Sequence, residues 1–225
     1  MPLPAYDDAR VKAASLVWYP LVGLLIGLVL GGLAWLLRDT SALLSAALIV
    51  AAWVAVTGAL HLDGLADSAD AWIGGMGDRD KTLAIMKDPR SGPAGVVALV
   101  LLLLLKVAAL ASLGPAPWAA LLLAPVLARA SLTALFLSTP YVRSGGLGTA
   151  LVDAPRPACG LALLLVAAAS LCLGARGLLA LLVAAAVFAL WRRACLHRLG
   201  GCTGDTAGAL AEMVELAVLL GLALR

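Results

Sequence analysis

Charged and aromatic residues are scarce in this sequence, and it lacks the cysteine and histidine patterns of a metal framework. Only 13% of the 225 residues are charged and 5% are aromatic, whereas 63% are hydrophobic and the mean hydropathy is +1.05. The four cysteines include no CxxC pair and there are two histidines, which argues against structural zinc or a disulfide framework. A net charge of +3 is too small to indicate nucleic-acid binding. The composition indicates a membrane protein, because soluble domains carry about 25% charged residues.

Seven apolar segments are candidates for crossing a membrane. A spanning helix needs about 20 mostly apolar residues, and the candidates are 15–37, 41–60, 94–113, 117–137, 158–174, 177–191 and 207–224. The sixth segment is short, so a six-span arrangement with a re-entrant piece is the alternative. The sequence predicts an all-α, polytopic integral membrane helical bundle, in which residues 1–225 form a single membrane-embedded domain.

Basic residues are distributed unevenly between the two ends of these segments. Eleven of the 16 Lys and Arg residues fall on the side of the N-terminus and the loops 61–93, 138–157 and 192–206, and three fall on the other side. The positive-inside rule places the eleven-charge side in the cytoplasm. Most acidic residues lie on the same side. Polar chemistry at one membrane face favours an interfacial enzyme over a transporter.

Three aspartates follow directly after the uncharged segment 40–60, in the stretch HLDGLADSADAW. If this stretch is helical, steps of four and three residues place Asp63, Asp67 and Asp70 on one face. Three carboxylates in this arrangement repel one another unless a cation neutralises them, and oxygen ligands suit Mg²⁺ or Mn²⁺. The pattern predicts a metal site, and the alternative is a solvated acidic face.

Two further polar groups accompany this helix. Lys87-Asp88-Pro89-Arg90 precedes a span, and its basic residues are suited to holding a metal-bound phosphate. Near the C-terminus, the glycine-containing loop 200–204 could cradle an anion, and Asp205 or Thr206 could cap the last helix.

Four charged residues lie within predicted spans. Glu212 and Glu215 share one face of the last helix, and a role at the polar site is the preferred interpretation because carboxylates inside a span usually face the bundle interior. Arg129 needs a partner, which could be one of these glutamates or a substrate phosphate. Lys106 lies nearer the outer end of its span and is predicted to snorkel outward.

These motifs resemble the cobalamin synthase family, the adenosylcobinamide-GDP ribazoletransferases. The resemblance extends from PLVGLLIG at residue 20 to Glu215, and it rests on HLDGLADSADAW, DRDKTLAIMKDPRSGPAG, YVRSGGLG and GGCTGDTAGALAEMVE, which begin at residues 61, 78, 141 and 200. Two positions depart from the family pattern, Ala71 for a glycine and Pro89 for a small polar residue. Neither departure removes a candidate ligand.

The resemblance implies an Mg²⁺-dependent phosphoryl transfer in the last steps of cobalamin biosynthesis. The 5′-hydroxyl of α-ribazole, or of its 5′-phosphate, attacks the cobinamide-linked phosphate of adenosylcobinamide-GDP, GMP leaves, and adenosylcobalamin or its phosphate forms. The chemistry is similar to that of CDP-alcohol phosphotransferases, but the Ala-Arg pair of their motif is absent because Ala66 is followed by Asp67. The alternatives are such a lipid-synthesis enzyme, or a transporter of cations or small molecules.

Residue patterns and resemblance together give a set of predicted roles. The predicted Mg²⁺ ligands are Asp63, Asp67 and Asp70. The predicted catalytic residues, as metal shell or general base, are Asp67, Asp88, Glu212 and Glu215. The predicted substrate-binding residues are His61, Lys87, Arg90, Arg129, Gly201, Thr203 and Asp205. The predicted partners are the two substrates and the lipid bilayer, without nucleic acid, and a homo-oligomer is left open.

Overall fold

Ten α-helices account for most of the chain in a computed structural model that describes residues 9–114, 117–143 and 146–224. The helices are α1 (Ala9–Ser15), α2 (Tyr19–Leu36), α3 (Ala42–Thr57), α4 (Leu60–Gly74), α5 (Arg79–Ile85), α6 (Pro93–Ser112), α7 (Trp118–Ser138), α8 (Arg156–Leu171), α9 (Ala175–Leu199) and α10 (Gly204–Ala223). Two 3₁₀ segments, Leu16–Trp18 and Leu147–Asp153, complete the order. The described residues contain no β-strand, only an isolated bridge between Tyr141 and Cys202. The all-α prediction is confirmed.

Five helical stretches in the described chain are long and apolar enough to cross a membrane: Arg10–Leu36, Pro93–Ser112, Trp118–Ser138, Ala175–Leu199 and Gly204–Ala223. Helices α3 and α4 make a sixth if this pair, bent by 91°, is counted as one broken span. Helix α8 has 16 residues, fewer than a straight span needs. The polytopic membrane bundle is therefore confirmed, with five or six helices of spanning length instead of seven.

Helix α9 differs from the expectation that the sixth apolar segment is short. It is the longest helix, with 25 residues, because the polar sequence after Trp191 continues the same helix. This extension has packing partners of its own. The Trp191 ring stacks on Trp72 of α4 at 4.9 Å, and the buried Leu199 accepts a hydrogen bond from Arg79 at 2.8 Å. Hydropathy predicted that this segment ends at Trp191. At that point the contacts of α9 change from apolar helices to α4 and α5.

The 91° bend between α3 and α4 lies at two consecutive residues in the left-handed conformation. Gly58 has φ +61° and Ala59 has φ +57°. A non-glycine residue rarely adopts a positive φ, so local sequence does not favour the bend at Ala59 and the packing of α4 must hold it. Helix α3 is apolar apart from its hydroxyl groups, whereas α4 carries three aspartates. We therefore place α4 at the membrane face, outside the apolar segments, and α3 by itself has 16 residues, as α8 has.

Glycines allow the closest helix contacts. On α2, a Cβ atom at Gly23 would lie 2.4 Å from the carbonyl oxygen of Pro125, and one at Gly27 would lie 2.7 Å from that of Leu121 on α7. Glycines spaced by four residues are a common packing face of membrane helices. At the site end, a Cβ atom at Gly64 of α4 would lie 2.7 Å from a backbone oxygen of α10. Helices α7 and α10, which are buried along most of their length, form the centre of the bundle.

Two glycines of α2 provide a matched test of this packing. Gly27→Ala places a methyl group against the α7 backbone, and we expect it to destabilise the protein by about 1–3 kcal/mol. Gly32→Ala has no atom within 4 Å of the added Cβ, so we expect no loss of stability. Thermal unfolding of both variants in detergent checks this. Equal melting temperatures for the two variants would contradict the α2–α7 contact.

Candidate active site

Two of the three predicted aspartates of α4 lie where this helix meets the start of α10. Asp63 and Asp67 are one helical turn apart, and the Gly64 between them packs on the backbone of Asp205. Partial burial, followed by the negative charges of Asp63 and Asp205, raises the pKa of Asp67 to about 6. The negative charges of Asp63 and Asp205 oppose the ionisation of Asp67, so a cation among these carboxylates would be stabilised.

Asp70 points away from that cluster toward the start of α6. Its two carboxylate oxygens accept hydrogen bonds from the backbone N–H groups of Gly92, at 2.6 Å, and Gly95, at 2.9 Å. A Cβ atom at either glycine would lie 2.5 Å from this carboxylate. Asp70 therefore satisfies unpaired donors of the α6 N-terminus, where a negative charge is also favoured by the helix dipole. Its role as a metal ligand stays a prediction.

A cavity of about 780 Å³ opens beside Asp63. Its polar lining combines acidic, basic and neutral groups, namely Lys12, Ser15, His61, Asp63, Lys87, Arg143 and Asp205. Its apolar wall includes Tyr19, Leu132, Phe136, Tyr141 and Leu151. Of the residues predicted to bind substrate, His61, Lys87 and Asp205 line this cavity. The cavity can hold an anionic group against its basic residues and an aromatic or apolar group against its apolar wall.

Arg143 and Tyr141 line the cavity but were not among the predicted site residues. Arg143 donates a hydrogen bond to Asp205 at 2.7 Å, which makes it the nearest counter-charge of this carboxylate. Two backbone hydrogen bonds join the loop after α7 to the loop before α10. The N–H of Val142 donates to the carbonyl oxygen of Cys202, and the N–H of Cys202 donates to that of Pro140. The sequence signal for Arg143 is its position in YVRSGGLG, directly after a span and before glycines.

The basic segment before α6 divides into two parts. Lys87 lines the cavity, whereas Arg90 does not belong to its lining and has a side chain that is 86% exposed. Arg90 pairs with Asp88 through two side-chain hydrogen bonds of 3.0 and 2.8 Å. These hydrogen bonds lower the pKa of Asp88 to about 2, which makes its carboxylate a weak base. The structure thus brings Lys87, but not Asp88 or Arg90, to the cavity.

The loop before α10 has a defined structure. Thr203 caps the helix, since its hydroxyl accepts from the N–H of Thr206 at 3.2 Å and the Thr206 hydroxyl accepts from the N–H of Thr203 at 2.8 Å. A Cβ atom at Gly201 would lie 2.2 Å from the carbonyl oxygen of Pro140. Thr203 and Gly201 are both buried, so in this structure they shape the loop that leads into α10 and Asp205.

A buried ion network, formed by Lys106, Arg129, Glu212 and Glu215, lies deeper in the bundle. Lys106 donates to Glu212 at 2.7 Å and to Glu215 at 2.6 Å, and Arg129 donates to the other oxygen of Glu215. None of the four side chains is more than 4% exposed, and none lines the cavity. The prediction that Lys106 snorkels outward was wrong, because the carboxylates of α10 lie on its side of α6. Arg129 pairs with Glu215, and a glutamate was one of the two kinds of partner predicted for it.

The predicted three-aspartate metal site does not converge as a triad. Within the described ranges, no three His, Cys, Asp or Glu side chains are close enough together to hold an ion by themselves. Asp63 and Asp67 remain as a pair beside Asp205. That arrangement fits Mg²⁺, which proteins usually bind through one or two carboxylates together with substrate phosphates.

The fold and the site define a polytopic α-helical membrane protein with a charged cavity at one end of its bundle. The family model for cobalamin-5-phosphate synthase matches residues 1–223. The chain is 61% identical to the adenosylcobinamide-GDP ribazoletransferase of Pseudomonas paraeruginosa, over 99% of this chain and 91% of that protein. It is 60% identical to the protein of the same name from Stutzerimonas stutzeri, over 99% of this chain and 92% of that protein.

A third relative, from Pseudomonas putida, has the same name and is 58% identical over 99% of this chain and 92% of its own length. No solved structure matches the chain. The chain belongs to the cobalamin-5-phosphate synthase family. The predicted family and the prediction of a transferase enzyme are thereby confirmed.

Removing the Asp70 carboxylate tests its contact with α6. We expect Asp70→Ala to lower the stability by about 1–3 kcal/mol, because two backbone donors lose their acceptor. The hydrogen bonds to α6 do not involve a metal, so this loss should be the same with Mg²⁺ and with EDTA. Melting temperatures in detergent measure both conditions, with Asp80→Ala, whose side chain is 91% exposed, as the control. A loss that appears only in Mg²⁺ would favour the ligand role.

Proposed function

We propose that this protein transfers the adenosylcobinamide-phosphate group of adenosylcobinamide-GDP to α-ribazole or its 5′-phosphate, with Mg²⁺ as the cofactor. The observation that carries the proposal is the charge pattern of the cavity, in which Asp63 and Asp205 face Lys87 and Arg143. Acidic groups for a cation beside basic groups for phosphate are what a diphosphate needs. The substrates come from the names of the relatives.

In the proposed reaction the nucleophile is the 5′-hydroxyl oxygen of ribazole. It forms a bond to the cobinamide-linked phosphorus, the bond from that phosphorus to the GMP oxygen breaks, and the hydroxyl proton passes to the surroundings. Mg²⁺, when held by Asp63 and Asp67 together with phosphate oxygens, would supply positive charge to the diphosphate. Lys87 and Arg143 bind the phosphate oxygens and offset the charge that develops on the leaving GMP.

The apolar wall of the cavity would orient the nucleophile. Phe136 and Tyr141 form a tilted ring pair with centroids 6.1 Å apart, and Tyr19 and Leu132 extend the apolar surface. An aromatic base packed on this wall would direct its ribose toward Asp63 and Lys87. In this arrangement the cavity orients the nucleophile toward the diphosphate.

The membrane placement of this chemistry is part of the proposal. The starts of α6 and α10, the segment after α7, and α1 meet at one end of the bundle, where Lys12, Lys87 and Arg143 line the cavity. The excess of basic residues on this side supports a cytoplasmic orientation in the inner membrane.

A reconstituted assay tests the reaction. The protein in liposomes with Mg²⁺, adenosylcobinamide-GDP and α-ribazole should release GMP, and EDTA should stop the release. We expect Asp67→Asn to reduce turnover by about 100-fold or more, because it removes a charge that holds the cation. The exposed Asp80→Asn is the matched control and should retain full turnover. Absence of GMP release by the wild type would refute the proposed function, and full turnover by Asp67→Asn would refute the metal assignment alone.

A further inference from the structure

His61 connects the buried ion network to the cavity. It lines the cavity, and its Nδ1 atom lies 3.4 Å from Nη2 of Arg129. Arg129 in turn donates through Nη1 to Glu215. Nδ1 of the imidazole therefore contacts the ion network, and Nε2 does not.

The chemistry of arginine decides which nitrogen of His61 carries the proton. A guanidinium group has only N–H donors and stays charged in proteins. The nitrogen that faces it must therefore accept, so Nδ1 has no proton. A neutral imidazole has one N–H, which must then be on Nε2. The doubly protonated ring is disfavoured for the same reason, because it would place Nδ1–H and a second positive charge against Arg129.

The network keeps Arg129 in this orientation. Its side chain is 4% exposed, and Glu215, which binds it, is also bound by Lys106 at 2.6 Å. Lys106 is held by Glu212 at 2.7 Å and lies over the ring of the buried Trp53 at 4.7 Å. Two cations and two carboxylates balance within the network, so Arg129 has no buried alternative partner for its charge.

The second nitrogen of His61 has no protein partner in the described part of the chain. Its only hydrogen bond to another side chain is the one with Arg129, and Nε2 is not among the buried atoms that lack a partner. Nε2 is therefore accessible, and the accessible space beside this residue is the cavity. Gly208 fixes the backbone here, since a Cβ atom at this position would lie 3.2 Å from the Cα of His61.

We propose that Arg129 is a positioning residue that fixes His61 with its proton on Nε2, so that His61 donates a hydrogen bond to a phosphate or hydroxyl oxygen in the cavity. In this tautomer Nε2 has no lone pair for a proton, so His61 is not the general base. The tautomer stands on the geometry of this site alone. The identity of the oxygen that receives the bond rests on the proposed function.

The tautomer can be read directly by ¹⁵N NMR. The chain has two histidines, and His197 is exposed, so His197→Gln leaves His61 as the only imidazole signal. With ¹⁵N-histidine labelling in nanodiscs, we expect Nδ1 to be unprotonated and Nε2 protonated. In a second protein that also carries Arg129→Met and Glu215→Gln, which leaves Lys106 paired with Glu212, we expect a mixture of both tautomers. A protonated Nδ1 in the first protein, or the same tautomer in both, would overturn the proposal.

Replacing His61 by Gln or by Asn tests the same hydrogen bond independently, through the turnover of the enzyme. The side-chain N–H₂ of Gln reaches about as far as imidazole Nε2, whereas that of Asn reaches only as far as Nδ1. We expect His61→Gln to stay within about tenfold of wild-type kcat/KM and His61→Asn to lose about 10–100-fold, the usual effect of one hydrogen bond to a charged group. Equal, severe losses in both variants would indicate a general base and contradict the proposal.

The NMR measurement and the turnover comparison distinguish a failure of this proposal from a failure of the proposed function. If the wild type releases no GMP, the function fails, and the NMR result still decides the tautomer. If the protein with Arg129→Met and Glu215→Gln does not fold, the wild-type tautomer and the Gln–Asn comparison decide. An unprotonated Nδ1 supports the proposal in either case, and where the wild type is active the retained activity of His61→Gln supports it as well.

Discussion

The interaction on which the structure depends is the buried ion network of Lys106, Arg129, Glu212 and Glu215. An unpaired charge at this depth is costly in a bilayer, so each of the four side chains needs its partner within hydrogen-bonding distance. The partners lie on α6, α7 and α10, which fixes the relative rotation and height of these three helices. Hydrophobic contacts alone would permit sliding, because lipid is as apolar as the helix surfaces.

The position of the site at the end of the bundle follows from the relative rotation and height of these three helices. Asp205 lies seven residues before Glu212, about two helical turns along the same helix, so the network also sets where Asp205 faces α4. The glycines at that contact bring α4 close enough for Asp63 and His61 to line the same cavity. Asp70 then anchors the start of α6, from which Lys87 is only a few residues away. The cavity is built on helices that the network holds, not on loops alone.

The sequence predicted those features that depend on local spacing. Apolar length predicted the helices, and the steps between Asp63 and Asp67 predicted their shared face. It did not predict which way Lys106 points, because that depends on where α10 packs. Neither did it predict the turn at Ala59, whose conformation is unfavourable for its own residue type. Asp70 was placed with the other aspartates by spacing, but the donors of α6 that it binds are more than 20 residues away in the chain.

Charge balance in the network holds the helices together, and a double-mutant comparison tests this interaction. Lys106→Met leaves one carboxylate without a counter-charge, which should destabilise the protein by about 3–5 kcal/mol. Lys106→Met combined with Glu212→Gln removes a charge of each sign and leaves Arg129 paired with Glu215. Melting temperatures measured in one detergent should then fall sharply for the single variant and recover most of the loss in the double variant. A single variant as stable as the wild type, or a double variant no more stable than the single one, would contradict the account.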